Sequence, residues 1–376
     1  MHDRQLTTLS RATTLGAAWG NVAKTTRIPT GEEGVAQPAS QRFAGARTAA
    51  MAPFIAADVG GTHARIGLVR AESANSSAVR VEQYDKYVCA DFPDLASLLA
   101  RFLRSIGDVR VDRIAIACAG IAVGDTLVNK NLPWAVSMSA IGAELGVERV
   151  RLVNDFEAVA YATHYLRANE TVLLAGHADE AANGPTLIVG PGTGLGAAVR
   201  IAGGPHPTIL ATEAGQASLA PGNEIEIEIL RVLMRRDSHV SNEAVLSGPG
   251  LVNLYNALCD IRGTTPELRA PAAITEAALN AHDALALEAL NVFCAWLGAV
   301  VGDMALVCGA RGGVHLAGGI LPQIRQFLVT SNFSARFLAK GAMRAVLERI
   351  PVSLIEHGQL GVIGAATWFL DTQNDG

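Results

Sequence analysis

The sequence predicts an α/β fold built from two related halves. From Pro53 onward, β-rich runs alternate with segments of helical periodicity. One pattern also occurs twice: an apolar strand, a glycine-rich turn with a threonine, and a second strand. The two copies are FIAADVGGTHARIGLVR at 54–70 and TLIVGPGTGLGAAVRIA at 186–202. Because these copies are far apart in the chain, we expect two half-structures that face each other.

The predicted strands are β-rich or bounded by Gly, Pro or Asx residues: 54–59, 64–70, 79–88, 112–118, 150–153, 186–190, 196–201, 208–212, 313–317 and 351–355. Helical periodicity predicts helices over 93–105, 137–145, 156–166, 224–235, 248–260, 273–309, 322–329 and 359–370. The uncharged stretch 289–302 is shorter than the roughly 18 residues of a membrane span, so we interpret it as a buried helix.

Composition narrows the function classes. The 376 residues, 50% apolar and 17% charged, can bury more than one core and suggest two or three domains. The net charge is −5 with scattered Lys and Arg residues, so we do not expect nucleic acid as a partner. No C-x-x-C pair or metal-ligand spacing occurs, which favours reduced thiols and a cytoplasmic location. The cysteines are Cys89, Cys118, Cys259, Cys294 and Cys308.

Residues 1–53 differ from the rest of the chain. They are rich in Thr, Arg, Ala and Gly and have little periodicity, which predicts a disordered extension or an appendage. A targeting peptide is the alternative, and Asp3, Glu32 and Glu33 count against it.

The first glycine turn, Gly60-Gly61-Thr62, follows Asp58. Glycines let the backbone approach a ligand closely, and exposed amides at such a turn can hold anionic oxygens. Asp58 would repel a bare phosphate, but its carboxylate can hold a water of a phosphate-bound Mg²⁺ ion. The turn therefore suggests metal-bound polyphosphate, whereas a single copy would equally suit a plain hairpin.

The second turn contains a misleading match. Gly192, Gly194 and Ala197 fit G-x-G-x-x-A, and Glu213 follows at a distance that suits a dinucleotide site. That fingerprint requires a helix after the turn, and Gly203 with its neighbours would end such a helix early. A strand fits better, so we do not expect a Rossmann cofactor.

Several polar residues follow strands or glycines. Asn154 and Asp155 stand at the carboxyl end of a strand, where α/β proteins bind ligands. Asp155 could accept a proton from an attacking hydroxyl during phosphoryl transfer, or it could simply cap a helix. Glu213 and Glu243 could accept hydrogen bonds from sugar hydroxyls, or serve as capping or solvated residues. The strand before Gly318-Gly319 suits a flat ring close to the backbone.

In combination these motifs resemble a known family. DVGGT, NDF, GTGLG, LSGPGLVNLY and AGGI occur in the order found in bacterial glucokinases of the hexokinase, actin and Hsp70 superfamily, over residues 54 to about 370. The resemblance implies a two-domain actin-like (ribonuclease H-like) fold with duplicated mixed sheets. A small domain, 54–165 plus 355–376, and a large domain, 166–354, would enclose a cleft. Glucose would be phosphorylated there at its 6-hydroxyl by ATP with Mg²⁺.

The resemblance also implies roles for residues. Asp155 would be the catalytic base, and Asn154, Glu213 and Glu243 would hold the sugar, together with Gln216. The family usually has E-G-G-H in this loop, and here Gln216 replaces the His. We expect the loss of about one hydrogen bond, worth about 0.5 to 1.5 kcal/mol, and weaker glucose binding with the chemistry retained.

For the nucleotide, the resemblance implies that the first turn, Gly60-Gly61-Thr62, holds phosphate together with Gly192 and Thr193, while Gly318 and Gly319 face the adenosine. His63 replaces the usual Asn after the first turn and is either a phosphate contact or a solvated residue. Two alternatives to a glucokinase stay open, a kinase for another hexose and a catalytically weakened sugar-sensing regulator. The sequence does not fix the oligomeric state, for which a homodimer is one option.

Overall fold

A computed structural model describes residues 52–73, 77–128, 132–177, 183–203 and 207–372. The predicted N-terminal extension lies outside these residues apart from its last two positions, as do the last four residues of the chain. The strands of the described part are β1 (Phe54–Val59), β2 (His63–Ala71), β3 (Val79–Val88), β4 (Arg113–Cys118), β5 (Ile121–Val123), β6 (Thr126–Val128), β7 (Val136–Ser137), β8 (Arg149–Val153), β9 (Thr171–Ala175), β10 (Thr186–Pro191), β11 (Leu195–Ile201), β12 (Thr208–Thr212), β13 (Val314–Leu316) and β14 (Val352–Ile355).

Two larger sheets repeat one topology. The five-stranded sheet has the order β3-β2-β1-β4-β8, and the six-stranded sheet has the order β12-β11-β10-β13-β14-β9. In each sheet the first three strands of this order form antiparallel pairs, and they include the hairpin with the glycine turn. The fourth and fifth strands run parallel to the third. This repetition confirms the expected mixed α/β halves. A small third sheet has the order β5-β6-β7.

The helices of the described residues cover the sheets. They are α1 (Leu95–Ser105), α2 (Met138–Leu145), α3 (Asp155–Ala162), α4 (Glu224–Leu233), α5 (Gly248–Arg262), α6 (Pro271–Leu279), α7 (Ala284–Cys308), α8 (Arg325–Thr330), α9 (Phe333–Leu338), α10 (Arg344–Leu347) and α11 (Leu360–Asp371). Helix α7 is long and apolar enough to span a membrane by length and composition, yet 72% of its most apolar window is buried inside the protein. This confirms the predicted buried helix, which extends beyond 289–302.

The strands close to the glycine turns are buried because both faces of each sheet are covered. All six residues of β10 are buried, and five of the six in β1, as expected for central strands with packing on both sides. One hydrophobic cluster joins one face of the six-stranded sheet to the helices α4 to α7. Separate clusters cover the two faces of the five-stranded sheet.

The structure corrects several element boundaries. The predicted helix 273–309 is two helices, α6 and α7, separated by a turn in which Ala281 has a φ of 53°. Asp283 starts α7 by accepting hydrogen bonds from the amides of Leu285 and Ala286. The strands β5, β6, β7 and β9 and the short helices α9 and α10 were not predicted, because each is too brief for periodicity to mark.

Candidate active site

The first glycine turn presents free backbone amides beside β1. Its ends are fixed because the Gly60 amide donates to the His63 carbonyl at 3.0 Å and the Cys89 amide donates to the Thr62 carbonyl at 2.9 Å. Among the described residues, no backbone hydrogen bond uses the amides of Gly61 and Thr62. Such amides are available to anionic oxygens, as the predicted phosphate role requires.

Asp58 lies opposite Arg65 across the hairpin that carries this turn. The two residues are paired in the strand register, and the Arg65 Nη1 atom donates to Asp58 Oδ2 at 3.3 Å. The Asp58 side chain is 23% exposed, and burial raises the pKa of its carboxyl against the opposing effect of Arg65. Sequence reasoning missed Arg65, although counting residues outward from the turn would have placed it opposite Asp58.

The second glycine turn is fixed by the start of α5. The Gly192 amide donates to the Gly194 carbonyl at 2.8 Å, and the Gly248 amide at the start of α5 donates to the Gly192 carbonyl at 2.8 Å. Thr193 at the tip is exposed. The turn leads into the strand β11 and not into a helix, which confirms that the G-x-G-x-x-A match is not a Rossmann fingerprint.

Gly318 and Gly319 lie beside the second turn, after β13. Gly318 has a φ of +97°, and a Cβ there would stand 2.4 Å from the Pro191 carbonyl oxygen, so this position accepts no side chain. At Gly319 a Cβ would meet nothing within 4 Å. The backbone is therefore open at Gly319, as a flat ring packed against it would need.

Asn154 is the N-cap of α3, and Asp155 is the first residue of the helix. The Asn154 Oδ1 atom accepts hydrogen bonds from the amides of Phe156 and Glu157 at 3.0 and 3.1 Å. The alternative in which Asp155 is simply the cap is therefore wrong. Asn154 retains its amide NH₂ for a ligand, and both side chains are half-buried.

Asp155 has an unusually basic carboxyl. Burial raises its pKa to about 6, and repulsion from Asp58 and Glu213 adds to the effect. The Phe156 amide donates to Asp155 Oδ1 at 2.9 Å and partly opposes the rise. The structure thus brings carboxylates from β1, α3 and the segment after β12 into one electrostatic cluster. A carboxylate with a pKa just below neutrality suits a general base.

Glu243 connects the second turn to the loop that carries Gln216. The Leu195 amide donates to Glu243 Oε2 at 2.8 Å, and Gln216 Nε2 donates to Glu243 Oε1 at 3.1 Å. A Cβ on Gly194 would stand 2.4 Å from Glu243 Oε2. Glu243 also lies in a 3-10 turn capped by Ser241, and its carboxylate reaches back to the hairpin.

Glu213 directly follows β12, and His63 is the first residue of β2. Glu213 is exposed and precedes the 3-10 turn 214–216 without capping it through its side chain. Burial, with Lys86 and Arg65 nearby, lowers the pKa of His63. The His63 side chain is therefore mainly neutral at pH 7.

Helix α11 packs against both the first glycine hairpin and α3. A Cβ on Gly361 of α11 would stand 2.5 Å from Asp58 Cγ, so α11 packs directly on the first hairpin. Gly364 lies so close to the Ala158 carbonyl of α3 that a Cβ there would overlap it at 1.9 Å. Because these glycines allow close approach, α11 bridges Asp58 to the helix that begins at Asp155.

A glycine turn with free amides and a half-buried carboxylate with a raised pKa are features that phosphoryl transfer to a hydroxyl can use. Comparison with known proteins agrees. A family model described as Glucokinase matches residues 55–372. A glucokinase-like protein of Xylella fastidiosa (strain 9a5c) is 46% identical over 319 residues, covering 85% of this chain and 95% of that protein.

Another curated relative and a solved structure also match this chain over most of their length. The glucokinase of Saccharophagus degradans is 39% identical over 319 residues, covering 85% of this chain and 98% of that protein. A crystal structure of a glucokinase from an Antarctic psychrotroph is 34% identical with a TM-score of 0.73, covering 85% of this chain and 99% of that one. The chain belongs to the glucokinase family. This confirms the resemblance and the predicted ATP-dependent hexose kinase, and it does not favour the regulator alternative.

Proposed function

We propose that this enzyme transfers the γ-phosphoryl group of ATP to the 6-hydroxyl of glucose, with Asp155 as the general base. The observation that carries the proposal is the cluster around Asp155: a carboxyl with a pKa of about 6, near Asp58 and Glu213. At pH 7 this carboxylate is ionised and still basic enough to accept the proton of a hydroxyl in the transition state.

The sugar would lie between Asp155 and the loop of Glu243. The free amide of Asn154 can donate to a hydroxyl, while the carboxylates of Glu213 and Glu243 can accept from hydroxyls. Gln216 acts mainly through Glu243, whose carboxylate it orients. The expected weakening of glucose binding would then be indirect, because the amide of Gln216 supports the carboxylate of Glu243, which binds the sugar.

The triphosphate would lie along the two turns, with the amides of Gly61 and Thr62 on one side and of Thr193 on the other, and adenosine would pack at Gly319. Charge on the transferring group would be balanced by these amides. The hairpins would belong to two domains of an actin-like fold, 54–165 with 355–376 and 166–354. Sugar binding would draw the domains together and exclude water.

Asp58 fits the expected Mg²⁺ ion. No group of three or more His, Cys, Asp or Glu side chains in the described part of the chain could hold a metal, but Mg²⁺ commonly binds through one or two carboxylates and substrate phosphates. Asp58 Oδ2 accepts from Arg65, which leaves Oδ1 for a metal-bound water. When bound, Mg²⁺ would neutralise charge on the phosphates.

The test is a coupled assay for glucose 6-phosphate with ATP and Mg²⁺. We expect turnover in the wild type and a loss of roughly a hundredfold or more in Asp155→Ala. Competition with fructose, mannose and N-acetyl sugars identifies the preferred hexose. Full turnover in Asp155→Ala would contradict the assignment of the base. We also place the enzyme in the cytoplasm, because its five cysteines are free thiols, which suits a reducing compartment.

A further inference from the structure

Two glycines oppose each other next to the second turn. Gly190 of β10 and Gly196 of β11 are directly paired across the hairpin. Side chains alternate between the faces of a sheet, so both glycines lie on the same face as Ile188 and Ala198, which belong to the cluster around α3. The glycine pair therefore leaves a depression in that face, just before Gly192.

The ring of Phe156 fills this depression. A Cβ on Gly196 would stand 2.0 Å from Phe156 Cδ2, and a Cβ on Gly190 would stand 2.9 Å from Phe156 Cζ. Both distances are shorter than carbon atoms tolerate without a shift of the ring. At Gly196 the missing side chain makes room for the ring, and at Gly190 it makes room for the ring and for the Ala317 carbonyl, whose oxygen would stand 2.6 Å from a Cβ.

Phe156 is also joined to the proposed base. It follows Asp155 directly, and its amide donates to Asp155 Oδ1 and to the N-cap oxygen of Asn154. On the other side of α3, Gly364 of α11 packs against the Ala158 carbonyl. Helix α3 is therefore held from both sides, and a sideways shift of the ring would move the first turn that carries Asp155.

We propose that Phe156 is a positioning residue that sets the distance between Asp155 and the second glycine turn. The inference rests on the proposed role of Asp155 as the base. The Phe156 ring acts through the first turn of α3, where the Phe156 amide donates to Asp155 Oδ1. Because a misplacement of about 1 Å can lower turnover by about a hundredfold, the fit of the ring between the glycines controls kcat more than substrate binding.

The test is a double-mutant cycle with Phe156→Ala, Gly196→Ala and both together. Gly203→Ala is the matched control, because a Cβ there meets nothing within 4 Å. We expect each single substitution to lower kcat by about tenfold, with KM for glucose and ATP changed less than about threefold. In the Phe156→Ala background, Gly196→Ala should lower kcat by less than about twofold, because the ring that the new methyl group meets is gone.

Several outcomes would overturn the inference. They are a folded Phe156→Ala enzyme with wild-type kcat, losses that multiply in the double variant, or a rise in KM without a fall in kcat. Phe156→Leu, which keeps apolar volume, replaces Phe156→Ala if the latter unfolds at the assay temperature. Asp155→Asn, measured alongside, separates the two proposals. An inactive wild type or an active Asp155→Asn overturns the proposed function, whereas a fully active Phe156→Ala overturns this inference alone.

Discussion

Replacement of Asp155 with Asn should stabilise the protein at neutral pH while it removes turnover. The folded protein raises the pKa of the Asp155 carboxyl from its ordinary value of 3.8 to about 6, so the fold favours the neutral form. At about 1.4 kcal/mol per pKa unit, keeping this group ionised at pH 7 lowers the free energy of unfolding by up to about 3 kcal/mol. Asn is neutral, has nearly the same shape, and can still accept from the Phe156 amide.

The sign of the pH dependence follows from the raised pKa. Below about pH 3 the Asp155 carboxyl is protonated in both the folded and the unfolded protein, and at pH 4 the ionisation of the unfolded chain still contributes so little free energy that the wild type and Asp155→Asn should unfold within about 1 °C of each other. As the pH rises through about 6, the wild type loses the stability that the neutral carboxyl gave it, and the variant does not. Above about pH 6.5 the difference in Tm should be constant at up to about 6 °C, at about 2 °C per kcal/mol for a chain of this size.

The assay is thermal unfolding from pH 4 to pH 8 without ATP and Mg²⁺, with turnover measured in parallel. The exposed Asp108→Asn controls for the loss of one negative charge, and its Tm should stay within about 1 °C of the wild type. Wild-type kcat should fall below about pH 6 as Asp155 gains its proton. A Tm difference that is equal at pH 4 and pH 8, or an Asp155→Asn protein that is less stable at pH 8, would refute the burial argument.

Substitutions at Gln216 and Gly361 test the surroundings of the base. Gln216→Ala removes the hydrogen bond to Glu243, so KM for glucose should rise by up to about tenfold with kcat nearly unchanged. Gln216→His should tighten glucose binding. Steady-state kinetics check both variants, and an unchanged KM in each would contradict the role of Gln216. Gly361→Ala places a methyl group against Asp58 and should lower kcat by about tenfold at fixed MgATP. The control Gly358→Ala should keep wild-type kcat, because a Cβ there meets nothing within 4 Å. Equal effects of the two substitutions on kcat would show that the contact with Asp58 is irrelevant.

Much of the fold could be predicted because its signals are local. The strand β3 has the predicted bounds, and the two hairpins are recognisable from apolar runs that flank glycine turns. Helix α3 was predicted one residue late, because Asn154 and Asp155 are both good capping residues and the sequence alone does not choose between them. The run 273–309 predicts one helix, because alanines and leucines keep an apolar period across the turn at Ala281.

The electrostatics of the site could not be predicted in the same way, because they depend on approaches between distant segments. The glycines at 190, 196, 361 and 364 are visible in the sequence, but nothing local shows which atoms they face. In the fold, each removes a side chain where a helix meets a strand or another helix. Burial raises the pKa of Asp155, and repulsion from Asp58 adds to the rise. A carboxylate at the start of a solvent-exposed helix would have its pKa lowered by the helix dipole. The raised pKa of Asp155 therefore depends on this close packing, and a variant that loosens the contact of Gly361 with Asp58 should also move the acidic limb of kcat toward lower pH.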